Sequence, residues 1–308
     1  MKKETIKKHI FKPRLSDEEV DRLKGNLLKE KDYNTLITYN ADVYCQETGN
    51  CIAKFRKKLI PNNIALQAYE SLKSVATAST NRGLSAGLKE DGTSTEYKVR
   101  KDGVLSNTNH ANNVNSGIIG YFDRNARFPY CRQTAYNMKQ FKKFKQAYPI
   151  IKFVDSAYSE LMPEQYKLQR EVADKTSKDF VIKDTAFTTV TVNKNWQTAV
   201  HTDKGDFEKG FGNLVVLRQG RYSGGYFVVP KWGVAFDVQN CDLLLVDVHQ
   251  WHGNTEMYET EDDKKYNNEM VKLFKDNPEV GTAGLDKKYT RLTFVCYLRE
   301  KIAECPNK

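Results

Sequence analysis

The stretch that decides the fold is residues 212–248, GNLVVLRQGRYSGGYFVVPKWGVAFDVQNCDLLLVDV. Four short runs rich in Val, Leu and Phe follow one another here, separated by segments that contain Gly, Ser, Asn or Asp. Short β-branched and aromatic runs between turn residues are typical of strands. Segments 186–192 (AFTTVTV) and 291–298 (RLTFVCYL) continue the pattern on either side. The C-terminal part of the chain is therefore predicted to be a sandwich or jelly roll.

The chain before residue 186 has a different pattern. A Ser-x-x-Glu capping box at Ser16 is followed by apolar residues at helical spacing through residues 16–31. Residues 148–175 predict a mainly helical segment that is interrupted near Pro163. A polar segment at 259–289 predicts a surface helix and loop between strands.

These patterns together predict an α+β fold with a double-stranded β-helix core (jelly-roll or cupin-like) flanked by helices. We expect residues 1–110 to form a helical N-terminal extension packed on the core, with a polar loop at 78–117. Residues 111–308 are expected to form the main domain.

Composition sets the broad class of protein. With 308 residues and 39% apolar content the chain can bury a sizeable core. The sequence contains no run of 18 apolar residues, so no membrane span is predicted. The N-terminal segment lacks the apolar stretch of a secretory signal, and the six cysteines are scattered without zinc-binding spacing. We expect a reduced protein inside the cell, in a nucleus or in the cytoplasm of a bacterial or virus-infected host.

The charge of the chain fits an acidic partner and a solvated basic surface equally well. Lys and Arg number 49 against 39 Asp and Glu, a net charge of +10. Basic clusters with interleaved phenylalanine occur at 54–59 (KFRKKL) and 139–146 (KQFKKFKQ). Such clusters suit a phosphate backbone, so Lys142, Lys143 and Lys145 are candidate DNA contacts, although a solvated helix face has the same composition.

Two histidines and an aspartate form a candidate metal site. His201 and Asp203 are two residues apart in an extended segment, so their side chains are expected to project to the same face. His252 follows the apolar strand LLLVDV and precedes turn residues, which also predicts a strand end. Two histidines and one carboxylate are the facial triad of non-haem Fe(II) oxygenases. His249 competes with His252 for the third position.

The string TAVHTDKGDFEKGFGNLVVL, together with GGYFVVPKWGVAFDVQNCDLLLVDVHQWHGNTE and RLTFVCYLRE, resembles the TET/J-binding-protein superfamily of 2-oxoglutarate/Fe(II) dioxygenases. The resemblance is densest over residues 185–300, is thinner back to 116–136, and is closer to the J-binding-protein branch that hydroxylates thymidine. It implies that His201, Asp203 and His252 are the catalytic iron ligands.

The same resemblance implies how 2-oxoglutarate is bound. Arg291 is expected to pair with its C5 carboxylate, which needs a charge-assisted and preferably bidentate partner. Thr293 lies on the same strand face as Arg291 and can add a hydroxyl to that carboxylate. Arg132 matches a family arginine that helps to hold the other end of 2-oxoglutarate. Tyr297 is expected to stack on the target base, although an aromatic residue that fills the core fits the pattern as well.

The implied reaction is hydroxylation of the C5-methyl group of a DNA pyrimidine through a ferryl-oxo intermediate, on a base flipped out of the duplex. Asp206 is expected to contact this base, and a carboxylate can accept from thymine N3–H or from the 5-methylcytosine amine. The two substrates are nearly even, with 5-methylcytosine slightly favoured. A protein or small-molecule dioxygenase and an inactive DNA-binding relative stay open as alternatives, and we expect a monomer.

Overall fold

The computed structural model describes residues 5–88, 112–125, 128–276 and 289–305. Its strands are β1 Lys7–Phe11, β2 Thr35–Ile37, β3 Ala41–Cys45, β4 Cys51–Arg56, β5 Thr77–Ser79, β6 Val114–Phe122, β7 Arg132–Gln133, β8 Thr189–Lys194, β9 Gly212–Gln219, β10 Ser223–Gly224, β11 Phe227–Val229, β12 Val234–Phe236, β13 Leu243–Val246, β14 Gly253–Asn254, β15 Met257–Tyr258 and β16 Thr290–Tyr297. Its α-helices are α1 Asp17–Asp21, α2 Asn62–Leu72, α3 Ala135–Lys139, α4 Phe141–Gln146, α5 Tyr148–Leu161, α6 Pro163–Lys175 and α7 Glu261–Asp276.

Most of these strands form two sheets. The large sheet runs in the order β1-β3-β4-β13-β9-β16-β8-β6-β5, with β7 paired to β6. The small sheet runs β14-β11-β12-β2, and β10 pairs with β15 separately. In the centre of the large sheet β9 is antiparallel to both β13 and β16.

The two sheets face each other across an apolar core. Phe55 of the large sheet meets Phe236 of the small sheet edge to face, with ring centroids 5.8 Å apart. Apolar side chains from both sheets are buried around this pair: Leu214, Val216, Leu244 and Val246 from the large sheet, and Phe227, Val229 and Val234 from the small sheet. Two facing sheets of this kind make the double-stranded β-helix core that the sequence predicts.

The other face of the large sheet is covered by helices. Side chains that alternate with the core-facing ones, such as Leu243 and Leu245 in β13, pack against α2, α4 and α5. Tyr158 of α5 is fully buried there and stacks on Phe187. Because β13 is buried on both faces, its sequence is continuously apolar rather than alternating.

Several predicted elements are confirmed in position. The predicted helical segment 148–175 forms α5 and α6, with the break at Pro163. The capping box at Ser16 is present, but the α-helix that it begins ends at Asp21 rather than continuing through residue 31. Helix α7 lies in the predicted 259–289 segment, whose residues 277–288 are outside the described part of the chain.

The N-terminal segment differs from the prediction of a helical extension. Before residue 89 the structure places five strands, of which β3 and β4 continue the large sheet from β13, and β2 joins the small sheet. The burial pattern of β3 alternates strictly, as a strand within a sheet requires. These residues therefore extend the core. The domain division near residue 110 lies outside the described residues and stays a prediction.

The polar loop predicted at 78–117 is strand at both of its ends. Residues of β5 pair with β6, with Thr77 opposite Ser116. Of the residues between these two strands, 89–111 lie outside the described part of the chain.

The cysteines differ from the prediction of reduced thiols. Cys131 and Cys305 form a disulfide across 174 residues of sequence, whereas Cys45, Cys51, Cys241 and Cys296 are free. Sequence spacing alone carried no signal for this pair, because the fold brings together the start of β7 and the C-terminal segment. No helix in the described residues is long and apolar enough to cross a membrane.

Candidate active site

A cavity of about 470 Å³ opens between the two sheets. One wall is made by β8, β9, β13 and β16 of the large sheet, and the other by β11 and β14 of the small sheet. The cavity holds most of the residues that the sequence singles out: His201, Asp203, Asp206, His252, Arg291, Thr293 and Tyr297.

His201 lies in a segment that N-terminal residues hold in place. Its backbone exchanges two hydrogen bonds with His252, of 2.9 and 3.0 Å, in an isolated bridge rather than the regular strand that was predicted. The N–H of Ala199 donates to the Ser85 carbonyl and that of Val200 to the Asn26 carbonyl, both at 2.9 Å. Residues before 89 thus hold in place the backbone that leads to His201.

His201, Asp203 and His252 bring three potential ligand atoms within 4.8 Å of one another. One oxygen of Asp203 lies 3.5 Å from His201 Nε2 and the other lies 3.8 Å from His252 Nε2. The backbone N–H of Asp203 donates to the Val248 carbonyl at 3.1 Å, which anchors the acid beside the histidines. Two imidazole nitrogens and one carboxylate are the donor set that suits Fe(II).

Backbone carbonyls orient both imidazole rings. His201 Nδ1 lies 2.7 Å from the Ala199 carbonyl oxygen, and His252 Nδ1 lies 2.9 Å from that of Gln250. A carbonyl only accepts, so each Nδ1 carries the proton and each Nε2 keeps its lone pair for a metal.

The surroundings of His252 favour its neutral form. Its ring stacks on Phe227, with centroids 5.1 Å apart, and the residue is buried. Burial lowers the pKa of His252 to about 4, and the neighbouring His201 acts in the same direction. A neutral imidazole is the form that binds a metal ion.

Arg291 is built as an anion receptor. It is buried at 3% exposure, and its Nη1 donates to Thr293 Oγ1 at 2.7 Å. Its Nε and Nη2 are buried without a hydrogen-bond partner in the described part of the chain. Because Thr293 accepts from Arg291, its own hydroxyl hydrogen is available to a ligand. Buried unpaired guanidinium nitrogens fit the carboxylate of a bound acid such as 2-oxoglutarate.

Tyr297 and Asp206 lie together in the same cavity. The Tyr297 hydroxyl is 3.3 Å from Thr191 Oγ1, and burial raises the pKa of this phenol. Burial also raises the pKa of Asp206 well above its usual value, and Asp203 adds to the effect while Arg299 opposes it. An aromatic face and a carboxyl group side by side can contact a planar heterocycle with both stacking and hydrogen bonds.

The structure does not bring Arg132 into this cavity. Its guanidinium stacks on Phe128 and Phe122, with distances of 4.1 and 4.8 Å to the ring centroids, and donates to the Asp123 carbonyl. Arg299 instead lines the cavity and forms an ion pair with Asp123. The predicted role of Arg132 at the far end of 2-oxoglutarate therefore loses its geometric support.

His249 also lies outside the cavity lining. Its Nε2 is 3.1 Å from the Phe207 carbonyl oxygen, so its contacts are with the backbone. Lys142 and Lys145 are exposed on α4, whereas Lys143 is partly buried and contacts Ser74. The competition for the third metal ligand is resolved geometrically in favour of His252.

Sequence reasoning missed two arginines that line the cavity. Arg299 continues the alternation of Arg291, Thr293, Val295 and Tyr297 by one more step, so period-two counting could have found it. Arg82 comes from the N-terminal segment, and nothing in its surrounding sequence (STNRGLS) signalled a site.

Comparison with solved structures shows the fold. The chain aligns with NgTET1 in complex with 5mC DNA at a TM-score of 0.53 and 10% identity, covering 99% of this chain and 86% of that one.

Curated relatives share more sequence. JBP2 of Leishmania infantum, a bifunctional helicase and thymine dioxygenase, is 33% identical over 206 residues, 66% of this chain. JBP1 of Trypanosoma brucei brucei, a thymine dioxygenase, is 38% identical over 157 residues, 50% of this chain. The matched segments are 16% and 18% of those relatives, so this chain corresponds to less than a fifth of their length.

The model of the Tet_JBP family, described as the oxygenase domain of the 2OGFeDO superfamily, matches residues 117–300. That match covers more than half of the chain and contains His201, Asp203, His252 and Arg291, which line the cavity between the sheets. The chain therefore belongs to the Tet_JBP family of 2-oxoglutarate/Fe(II) oxygenase domains.

Proposed function

We propose that this protein hydroxylates the C5-methyl group of a pyrimidine in DNA, using Fe(II) and 2-oxoglutarate. The observation that carries the proposal is the content of one cavity. His201, Asp203 and His252 offer a metal donor set, and the buried Arg291, which lines the same cavity, has two guanidinium nitrogens without a hydrogen-bond partner in the described residues. The thymine dioxygenase relatives and the DNA complex of the TET neighbour support a DNA pyrimidine as substrate.

Each residue has a role in this proposal. His201, Asp203 and His252 would hold the iron, where dioxygen would be the oxidant that breaks a methyl C–H bond and 2-oxoglutarate the co-substrate oxidised to succinate and carbon dioxide. Arg291 and Thr293 would bind the C5 carboxylate of 2-oxoglutarate through the guanidinium fork and the free hydroxyl hydrogen. Burial of these groups between the sheets excludes water from the reacting methyl group.

Tyr297 and Asp206 would position the base. The cavity is recessed between two sheets, so a base stacked inside a duplex cannot enter it and must be flipped out or single-stranded. Stacking on an aromatic ring contributes about 1–3 kcal/mol per base, which offsets much of the unstacking cost. The carboxyl group of Asp206 can bond to thymine or to 5-methylcytosine, so this residue does not choose between them.

Mass spectrometry of nucleosides tests the proposal. The protein is incubated with Fe(II), 2-oxoglutarate and DNA that contains thymine and 5-methylcytosine at known positions, and the DNA is then digested. We expect 5-hydroxymethyldeoxyuridine, 5-hydroxymethyldeoxycytidine or both, in step with succinate release, and neither with His201→Ala. Succinate release that DNA does not stimulate, without a modified nucleoside, would favour a protein or small-molecule substrate. No succinate under any condition would favour the inactive relative.

A further inference from the structure

A second cavity adjoins the first along the edge of the large sheet. Its volume is about 560 Å³, within the range of ligand pockets, and it shares Asn81, Arg82 and Ile118 with the cavity around His201. The first cavity lies against β8 and β16, and the second lies against β6 and β5, the next strands in the sheet. Two strand spacings, about 10 Å, separate β5 from β8. The two cavities are therefore neighbours that meet at Arg82.

The lining of the second cavity is cationic and rich in hydroxyl groups. Arg82, Lys139 and Lys143 line it, and no described residue of the lining is acidic. The hydroxyl-bearing residues are Ser74, Thr77, Ser79, Ser116, Thr134 and Tyr136. Cations and neutral hydroxyl donors together are the groups that proteins direct at phosphate oxygens.

The cations of this cavity have few partners within the protein. Lys139 forms no hydrogen bond or ion pair in the described part of the chain, and Lys143 has only a 3.5 Å contact with Ser74 Oγ. Arg82 donates Nη2 to the Gly117 carbonyl at 3.2 Å and makes no ion pair with a described acid. Arg82 interacts electrostatically with Asp203 of the first cavity. Three positively charged residues therefore line a cavity with no described acidic residue in its own lining, which favours an anionic ligand there.

The neighbouring lysines of α4 do not share this position. Lys142 and Lys145 are exposed and are not part of the lining, and Lys145 lies over the Phe141 ring at 5.0 Å. Of the basic cluster at 139–146, only Lys139 and Lys143 face the cavity. The cluster thus divides into two lysines that line the cavity, the exposed Lys139 and the half-buried Lys143, and two exposed lysines outside it, with the same formal charge.

We propose that the second cavity is a phosphate subsite for the DNA strand that enters the first. Arg82, which lines both cavities, contacts the linkage beside the flipped nucleotide, and Lys139 and Lys143 contact the same linkage or the next one. This inference rests on the proposed function, because it takes the ligand of the first cavity to be a nucleotide within a strand. The subsite fixes which nucleotide of a bound strand lies at the iron site.

Neutral linkages locate the subsite without any turnover. Fluorescence anisotropy measures binding of single-stranded oligonucleotides to the full chain, without iron or 2-oxoglutarate. Each oligonucleotide carries one uncharged methylphosphonate at a different position relative to a single 5-methylcytosine or thymine. We expect one or two adjacent positions on one side of that base to weaken binding roughly tenfold, as the loss of a charge-assisted contact predicts, and the others to have much smaller effects.

Two charge-matched variants complete the experiment. In the double variant Lys139→Gln with Lys143→Gln, a methylphosphonate at the sensitive position should no longer weaken oligonucleotide binding. In Lys142→Gln with Lys145→Gln, which loses the same charge, the position dependence should persist. The proposal would be overturned if both double variants weakened oligonucleotide binding equally and no linkage were sensitive. It would also be overturned if inorganic phosphate needed Lys139 and Lys143 for binding but the oligonucleotide did not. Nucleoside mass spectrometry decides the proposed function separately, because this experiment reads binding alone.

Discussion

At His201 and His252 a backbone carbonyl determines which ring nitrogen is available to a metal. We expect His201→Ala to abolish Fe(II) binding, since the remaining histidine and carboxylate leave the facial set incomplete. Anaerobic equilibrium dialysis measures the bound iron. His249→Ala is the matched control and should bind iron normally, because the His249 ring bonds to the Phe207 carbonyl and its backbone N–H, which the variant keeps, donates to the Asp247 carboxylate. Loss of iron in the His249 variant and retention in the His201 variant would contradict the assignment.

The second prediction at this scale concerns Arg291. Arg291→Met should weaken 2-oxoglutarate binding by roughly 2–5 kcal/mol, because a buried carboxylate loses its charged partner. Isothermal titration calorimetry of 2-oxoglutarate measures the change. Arg218→Met is the control: Arg218 lies opposite Arg291 in the strand register, but its Nη1 donates to Gln239 and it does not line the cavity. Equal losses in the two variants would remove Arg291 from the site.

Single residues also show the limit of prediction from the sequence. The face of β16 was predictable because alternation along one strand places Arg291, Thr293 and Tyr297 together. Arg82 was not predictable, because it enters the cavity from a segment more than a hundred residues before His201. Arg132 matched a family position, yet the rings of Phe122 and Phe128 and the Asp123 carbonyl hold its guanidinium outside the cavity.

At the scale of elements, Asp155 ties α5 to its surroundings. Its carboxyl oxygens accept from the Ala186 N–H at 2.7 Å and the Tyr166 hydroxyl at 2.8 Å, and burial raises its pKa above 3.8. The unfolded chain then releases this proton at lower pH than the folded protein, so the contribution of neutral Asp155 is complete below about pH 3.8 and is lost as pH rises through the folded pKa.

Asp155→Asn keeps the neutral shape and removes this titration. The wild type should therefore lose stability relative to the variant as pH rises from below 3.8, and the difference should level off above the folded pKa. Urea denaturation of both proteins over a series of pH values measures the difference. A difference that grows in the opposite direction would show that folding lowers the pKa of Asp155, and one that does not change with pH would show that folding leaves this pKa unchanged; either would contradict the prediction.

Gly120 lies within β6 in a backbone conformation that favours glycine. Its φ is +94°, and both of its backbone groups bond to the Asn137 side chain, at 3.0 and 3.1 Å. Gly120→Ala should destabilise the protein by more than the roughly 1–3 kcal/mol of a strained backbone, because a Cβ would also overlap the Thr188 carbonyl oxygen. Gly49→Ala is the control, with a φ of +70° and open space around the added carbon. Similar urea midpoints for both variants would refute the overlap.

Strands were predicted best where the local sequence itself shows apolar runs separated by turn residues. The strands from residue 186 onward combine apolar runs with clear turns, and most of them form close to the predicted positions. The N-terminal strands β1, β3 and β4 pair with one another, but the strands of this region join the core through distant partners: β2 pairs with β12 and β4 pairs with β13, about two hundred residues further along the chain. Such long-range pairing leaves no local signal, so these strands were missed. A strand of three to six residues takes its stability from such partners rather than from its own composition.

At the scale of the whole molecule, the Cys131–Cys305 disulfide closes a loop of 174 residues. Loop-closure entropy predicts a contribution of about 5 kcal/mol to the free energy of unfolding. Reduction with dithiothreitol should lower the urea midpoint of the wild type, whereas Cys131→Ser with Cys305→Ser should start at the lower midpoint and not respond. A wild type whose thiols label fully after reduction, with no shift in its midpoint, would contradict this prediction.

That covalent link also decides where the protein would yield to force. A pull applied at the two termini passes from Cys131 directly to Cys305 and bypasses everything between them. Strands β7 to β16, and with them His201, Asp203, His252 and Arg291, lie inside the bypassed segment, whereas Arg82 of the same cavity lies outside it. Fewer than half of the residues of the chain can then be drawn out, each by about 3.5 Å at most. Strands β1 to β6, which precede Cys131, would carry the load and detach first, and strands β7 to β16 would extend only after the sulfur–sulfur bond is reduced.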